Sequence, residues 1–366
     1  MEIIHGGDIY TAREQQGRPI LDFSVNINPL GMPQASKKAI IDSLDTCDCY
    51  PDPLCRELRT AIANYENVPV DWILCGNGAA DLIYRLVFAL KPNKAMVLSP
   101  TFAEYELALT AGGCFVDHYD LDPENGFVLD EGILDVLDSS YQMLFVCNPN
   151  NPTGQVADNK LMIRLLNKCQ DLGIILFVDE CFNSFLDDPE EQSMKESLNG
   201  CCQETGEIRG GMIILKAFTK YYGMAGVRLG YILSSNIPLI NQIAKNSQPW
   251  SVSIPAQAAG IAALTDKDYR QQTKTLIREE RTFLKEGLNR VGEKVGLKII
   301  GSEADYVFFH IPTMKDLKER LLKRGILIRS CANYRNLGDT YYRIGVKSHR
   351  YNQTLIQELE SEFSSI

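Results

Sequence analysis

The chain reads as a doubly wound α/β protein, a mainly parallel sheet covered by helices, joined to a smaller α+β unit. Three observations predict this. Short apolar runs alternate with amphipathic stretches through the first two thirds of the chain. Those runs are apolar on both faces, as strands covered from both sides must be. From about Ser253 the pattern changes to long helical stretches followed by clustered strands. A chain of 366 residues with 45% hydrophobic content can bury cores of this size in two domains. The expected division is an N-terminal arm (1–34), a large domain (35–250) and a small domain (251–366).

Taken in order, a helix is expected to end near Leu44 and another to begin near Pro53, with Tyr50-Pro51-Asp52 looping between them. Strands are expected at 72–75, 95–98, 143–147, 174–178, 212–215 and 230–233, with helices at 82–90 and 161–172 among the connections. Beyond Ser253 come helices at 256–263 and 266–295, strands at 298–300 and 306–310, a helix at 314–323, strands at 326–329 and 342–346, and a final helix. A doubly wound sheet binds ligands at the carboxyl ends of its strands, and the unusual short motifs all fall there. CGNGA (75–79) lies between a strand and a helix, where backbone N–H groups can cradle an anion. NPNNPTG (148–154) turns out of the strand at 143–147. The strand at 174–178 runs into VDE, so that Asp179 closes a buried strand. IILKAFTKYYGMAGVRLGYI (213–232) sets Lys220 between two apolar runs, with Gly223 and Gly226 in the turn and Arg228 eight residues on. A lysine deprived of hydration forms its neutral amine more readily, and that amine attacks carbonyls; the fork of an arginine suits a phosphate. Alone, each motif is ordinary: an Asn-Pro turn, a strand end meeting a helix cap, a lysine beside a glycine turn.

In this order and spacing, GNG, NNPTG, a strand ending in Asp, and Thr-Lys followed by Arg make the chain resemble the fold-type-I pyridoxal-phosphate enzymes, class I/II aminotransferase branch, over nearly its whole length. The resemblance implies pyridoxal 5'-phosphate as cofactor and no metal. It gives Lys220 the covalent link to the cofactor aldehyde and Asp179 the task of keeping the ring nitrogen protonated. Asn151 bonds the ring hydroxyl oxygen, and Phe102 stacks on the ring, with Tyr105 as the alternative. The cofactor phosphate takes the amides of Gly78 and Ala79, the Thr219 hydroxyl and Arg228. Tyr50 reaches across a two-fold homodimer to the partner's cofactor phosphate. Two positions depart from the pattern: Ala217 stands where many relatives have Ser or Thr, and Phe182 where aminotransferases usually have tyrosine.

HGGD (5–8), LDFSVNINPLG (21–31), FAEY (102–105), QPWSV (248–252), ILIRSCANY (326–334) and YYR (341–343) are similar to a decarboxylase branch of this family that acts on a small phosphorylated amino acid. That likeness implies His5, Gly6, Gly7, Asn28, Arg329 and Arg343 as substrate ligands. The two arginines would each fork an anionic group, and the glycines would offer backbone amides. Phosphothreonine and phosphoserine differ by one methyl, and the sequence does not separate them. Histidinol-phosphate aminotransferases, with a shorter version of the second motif, are the neighbouring alternative. A non-catalytic ligand sensor is a third reading, but such sensors carry an added helix-turn-helix domain. This chain is expected to start its fold close to Met1 and end at Ile366, leaving no room for one.

The formal charge of −10 disfavours nucleic acid and anionic membranes as partners. The sequence has no apolar run long enough to span a bilayer and no basic-then-apolar leader, which points to the cytoplasm. The 11 cysteines are odd in number and scattered, as expected of thiols in a reducing compartment. Cys201 and Cys202, without partners at zinc-site spacing, are expected in an exposed loop.

Overall fold

The computed structural model describes residues 6–201 and 208–364; His5 and Cys202 lie outside the described residues. Its strands are β1 (Leu21–Asp22), β2 (Ile73–Gly76), β3 (Lys94–Ser99), β4 (Phe115–Asp120), β5 (Met143–Cys147), β6 (Ile175–Asp179), β7 (Met212–Ala217), β8 (Gly230–Leu233), β9 (Lys298–Gly301), β10 (Tyr306–His310), β11 (Ile326–Leu327), β12 (Arg329–Ser330) and β13 (Tyr341–Gly345). Seven form one sheet in the order β4-β3-β5-β6-β7-β8-β2. The pairs from β4 through β7 are parallel, and β8 runs antiparallel to both its neighbours. Every residue of β5 (MLFVC) and β6 (ILFVD) is buried, because helices pack on both faces.

One covering helix shows how the sequence sets these elements. Asn159–Leu172 buries Leu161, Met162, Leu165, Leu166 and Cys169, a stripe at helical spacing. Asp158 accepts from the Leu161 N–H at its start, and Gly173 ends it at φ +70°. β4, FVDHYD, is a strand the sequence reading missed. It lies at the sheet edge and is only partly covered, so it lacks the two-sided apolar pattern of the inner strands.

The smaller sheet is antiparallel, in the order β12-β13-β10-β9, and the long helix Lys267–Gly292 packs against it. The single strand expected at 326–329 is two. β11 pairs in parallel with β1 of the N-terminal arm, while β12 pairs with β13. The arm is thus laid onto the C-terminal strands: the Phe23 N–H donates to the Leu327 carbonyl and the Gly345 N–H to the Phe23 carbonyl, both at 2.8 Å.

Cys201 does not sit in an exposed loop. Short 3-10 turns over Met194–Cys201 tuck Leu198 and Cys201 into the core, and the Gln170 amide donates to the Cys201 sulfur. All described cysteines are free thiols. No described helix is long and apolar enough to cross a membrane, and no described cluster of His, Cys, Asp or Glu could hold a metal ion.

Candidate active site

The carboxyl ends of β2, β3, β5, β6 and β7 bring the sequence motifs to one edge of the large sheet. Asp179, the last residue of β6, is buried. Its Oδ2 accepts from the Tyr105 hydroxyl at 2.6 Å and its Oδ1 from the Cys181 N–H at 2.9 Å. Burial pushes its carboxyl above the ordinary range, opposed by those hydrogen bonds and by Lys220. Tyr105 is therefore not a candidate stacking wall: it is fully buried, bonded to Asp179 and packed on Phe145 at 5.4 Å. Phe102, more exposed, stands edge-on to Tyr105 at 5.6 Å.

After β5, Asn150 organises the turn. Its side chain bonds Thr101, the Pro100 carbonyl and Thr153, and its own carbonyl accepts from the Tyr306 hydroxyl at 2.6 Å. Asn151 is left to face Arg343, whose Nη1 donates to its Oδ1. Phe182 is buried edge-on against Tyr306 at 5.2 Å. Because the Tyr306 hydroxyl is engaged by Asn150, that ring does not restore the phenol missing at position 182.

Lys220 and Thr219 lie on the one-turn helix Phe218–Tyr221 after β7, with Ala217 extended before it. Burial is the main cause holding the Lys220 amine below the ordinary lysine range. Arg343 and Arg228 add to the effect; Asp305 and Cys181 oppose it. Gly78, at φ +86°, caps the helix Ala79–Leu90, and a Cβ there would lie 2.6 Å from Nη2 of Arg228. Only glycine lets that guanidinium close over the helix N-terminus.

On the opposite side, Arg329 and Arg343 are register partners across β12 and β13, so they share one face. Arg343 is buried. Its Nη2 donates to the Ser24 carbonyl at 2.9 Å, its guanidinium lies 5.4 Å from the Tyr306 ring centre, and its Nε has no hydrogen-bond partner among the described residues. Arg329 shares a cavity with Gly6, Gly7, Thr11, Lys318 and Ser330.

The expected substrate ligands Asn28, Gly6 and Gly7 all lie on the N-terminal arm, and Gly6 and Gly7 line the cavity beside Arg329. Asn28 donates both amide protons, to the Tyr221 carbonyl and the Thr273 hydroxyl, at 2.8 Å each, while its backbone N–H donates to the Lys220 carbonyl. It ties the arm to the Lys220 turn. Gly7 donates its amide to the Ser24 hydroxyl at 2.8 Å, and a Cβ on Gly6 would run into the Ser24 carbonyl. The close approach that calls for these glycines is to the chain's own arm. Asn26, which the sequence does not single out, is buried, and its Oδ1 has no partner among the described residues. VNIN offers two asparagines, and only burial and bonding tell them apart.

Behind Lys220 lies a buried charge network invisible in the sequence. Lys216 Nζ is 3.1 Å from Glu66 and 3.6 Å from Glu180, and Lys195 is 3.5 Å from Glu66. The Tyr231 hydroxyl donates to Glu66, and the Ser193 hydroxyl and Met194 N–H donate to Glu180 at 2.7 Å each. The network braces the ends of β6 and β7, from which Asp179 and Lys220 project.

The family model for aminotransferase class I and II matches residues 18–359, and the chain belongs to that family. Among its relatives, threonine-phosphate decarboxylase of Salmonella typhimurium is 36% identical over 99% of this chain and 97% of its own length. Histidinol-phosphate aminotransferase of Methanosarcina barkeri is 30% identical, covering 93% of this chain and 88% of its own. The crystal structure of L-threonine-O-3-phosphate decarboxylase from Porphyromonas gingivalis superposes with a TM-score of 0.80 at 25% identity, over 94% of this chain and all of the other. The residues present fit pyridoxal 5'-phosphate, the cofactor of this enzyme. They offer a cradle at Gly78 that a Cβ would fill, a guanidinium over a helix N-terminus, a buried carboxylate on a strand end, and a lysine whose amine burial favours as the neutral form.

Proposed function

We propose that the protein decarboxylates L-threonine O-3-phosphate to (R)-1-amino-2-propanol O-2-phosphate, a step of cobalamin biosynthesis, in the cytoplasm as a two-fold homodimer. The observation that carries this reading is the pairing of Arg329 with Arg343 across β12 and β13. Two guanidinium groups side by side on one face make a strongly cationic wall that suits a small substrate bearing two anionic groups. Threonine phosphate has a carboxylate and a phosphate; histidinol phosphate has the phosphate alone. The higher identity to the decarboxylase than to the aminotransferase points the same way.

The bound cofactor supplies an electron sink for the pair released at the substrate's α-carbon. Lys220 would link to its aldehyde and later hold the proton for the α-carbon. Asp179 would keep the ring nitrogen charged, Asn151 would bond the ring oxygen and Phe102 would cover the ring face. Gly78, Ala79, Thr219 and Arg228 would hold the phosphate. On the substrate side, Arg343 would receive the carboxylate end, while Arg329 and the cavity beside it would take the phosphate. Held at both ends, the substrate presents one bond of its α-carbon for cleavage. Phe182 supports the choice of reaction, since the phenol usual in aminotransferases is missing.

An exposed apolar surface supports the homodimer. Ile41, Leu44, Tyr50 and Leu54 are exposed along one stretch, and Tyr50 stacks on Trp250 at 4.2 Å. The domain division at 1–34, 35–250 and 251–366 is part of this proposal. Incubating the cofactor-loaded protein with threonine phosphate should release carbon dioxide. If it releases none, while histidinol phosphate drives amino transfer efficiently, the aminotransferase reading replaces this one.

A further inference from the structure

Arg329 stands on a strand of two residues, after which the chain leaves the small sheet and re-enters it at Tyr341. Residues 331–340 between them form neither helix nor strand. A connection of this kind has little internal bonding to fix its side chains. Yet Asn333 and Tyr334 on it both set Arg329: Asn333 Oδ1 accepts from Arg329 Nη2 at 2.8 Å, and the Tyr334 ring centre lies 5.3 Å from the guanidinium. The next two residues reach the other way, to the large sheet. Arg335 forks Asp120 at the end of β4, Nε to Oδ1 at 3.0 Å and Nη2 to Oδ2 at 3.2 Å. Asn336 donates its amide protons to the Ser99 carbonyl at 3.1 Å and the Leu121 carbonyl at 2.7 Å, where β3 and β4 end. Its φ of +65° is a conformation that asparagine, after glycine, adopts most readily. Asn333, Tyr334 and Arg335 line one small cavity together with Thr101 and Phe102 of the large domain.

Four consecutive residues thus divide into two that grip Arg329 and two that grip the large sheet. A partly buried arginine has many rotamers, and its fork gives a phosphate two bonds only when it is aimed. Asn333 and Tyr334 supply the aim, but on an irregular connection they are held no better than their neighbours are anchored. We propose that Arg335 and Asn336 are positioning residues: clasped to Asp120 and to the carbonyls of Ser99 and Leu121, they hold Asn333 and Tyr334 so that Arg329 is aimed at the substrate's phosphate. The proposal rests on the decarboxylase reading and deepens it, because the clasp lets the site tell a phosphorylated amino acid from its unphosphorylated parent without touching either. The Arg335 guanidinium holds the Asp120 carboxyl below its ordinary range, so the pair is fully charged at neutral pH. An exposed ion pair contributes little alone. The two amide bonds of Asn336 beside it make the clasp a unit of several bonds, and the unit is what fixes the connection.

The test compares Kd for threonine phosphate and for L-threonine, each titrated calorimetrically into the cofactor-loaded enzyme. The double variant Arg335→Ala/Asn336→Gly removes the ion pair and both amide bonds, while glycine keeps the positive φ open. It should weaken threonine phosphate about tenfold, the order of effect of two or three lost hydrogen bonds, and leave L-threonine within about twofold of wild type. Equal weakening of both ligands, as a merely structural contact between the two domains would give, overturns the proposal, and so does no weakening of either. The same double change is then made in Arg329→Lys, which keeps the charge and loses the fork. There it should cost threonine phosphate about twofold at most, because the group it positions is gone. A full tenfold loss in that background would mean that the clasp does not act through Arg329, and would overturn the proposal. Arg335 is exposed, and Arg335→Ala alone should show the same selectivity at about threefold, so a double variant that misfolds leaves the test standing. Wild-type enzyme that binds threonine phosphate no better than L-threonine, or releases no carbon dioxide from it, fails the decarboxylase reading on which the clasp rests, and that failure is read from the wild type alone.

Discussion

Two buried charge clusters flank Lys220, and they are finished to different degrees. Behind it, Glu66, Glu180, Lys195 and Lys216 are paired with one another and bonded to Tyr231, Ser193 and the Met194 amide. In front, Arg343 Nε, Asn26 Oδ1 and both oxygens of Asp305 have no partner among the described residues. A buried polar group without a partner is costly. A fold that satisfies one cluster and leaves gaps in the other, within a few residues of the same lysine, marks the second as the place where a ligand completes the bonding. In the proposed function the back cluster is scaffold and the front is site.

The largest effect expected on this contrast is at Lys220 itself. Lys220→Ala should abolish carbon dioxide release and the visible absorbance of protein-linked cofactor; a variant that kept both would remove the front cluster from the chemistry. Next comes Arg343→Lys, which keeps the charge and loses the fork. Charge-assisted hydrogen bonds contribute about 1.5 to 3 kcal/mol each, so losing one of the two should lower kcat/KM for threonine phosphate about tenfold to a hundredfold. Its thermal unfolding should barely move. A large loss of stability with unchanged kinetics would instead make Arg343 scaffold.

Lys216→Met should reverse that pattern. It strands Glu66 and Glu180 in the interior, and breaking a buried pair costs about 3 to 5 kcal/mol. Denaturant unfolding should report that loss, while kcat below the unfolding transition stays near wild type. The same cluster sets acid sensitivity. Burial raises the Glu66 carboxyl, but Lys216, Tyr231 and Lys195 together outweigh it and hold it below 4.5. A depressed carboxyl stabilises the fold at pH values above 4.5 and loses that contribution as pH falls through its folded value. Lys216→Met should therefore weaken the decline of wild-type stability below pH 4.5.

What could be read from the sequence follows the same division. Asp179, Lys220, Asn151 and Gly78 each end or follow a strand within a short contiguous motif, so order and spacing along the chain were enough to nominate them. The substrate side is assembled from pieces far apart in the chain, as when Ser24 meets Arg343. Nothing local separates Asn26 from Asn28; the difference lies in Tyr221 and Thr273, which satisfy one and not the other. Asp305 reads as a solvated acid before the strand YVFFH, and its burial comes from elements on either side of the fold. The strand β4 escaped because an edge strand need not be apolar on both faces.

The smallest expected effect sharpens the contrast most, because it asks whether the unfinished cluster costs the protein stability. Asp305 is buried, and its carboxyl is raised from 3.8 to about 6. A raised carboxyl binds its proton more tightly in the folded than in the unfolded chain. Stability therefore drops as pH rises through that interval, and the full penalty is present only above about 6. Asparagine has nearly the same shape and no charge to bury. Asp305→Asn should thus be more stable than wild type at neutral and alkaline pH, by about 1 to 3 kcal/mol, since a tenfold change in proton affinity corresponds to about 1.4 kcal/mol. The advantage should shrink with falling pH and vanish by 3.8. Urea unfolding of both proteins across that range measures it. A variant no more stable than wild type at alkaline pH would mean that Asp305 has partners of its own, and the front cluster would then be as complete as the one behind it.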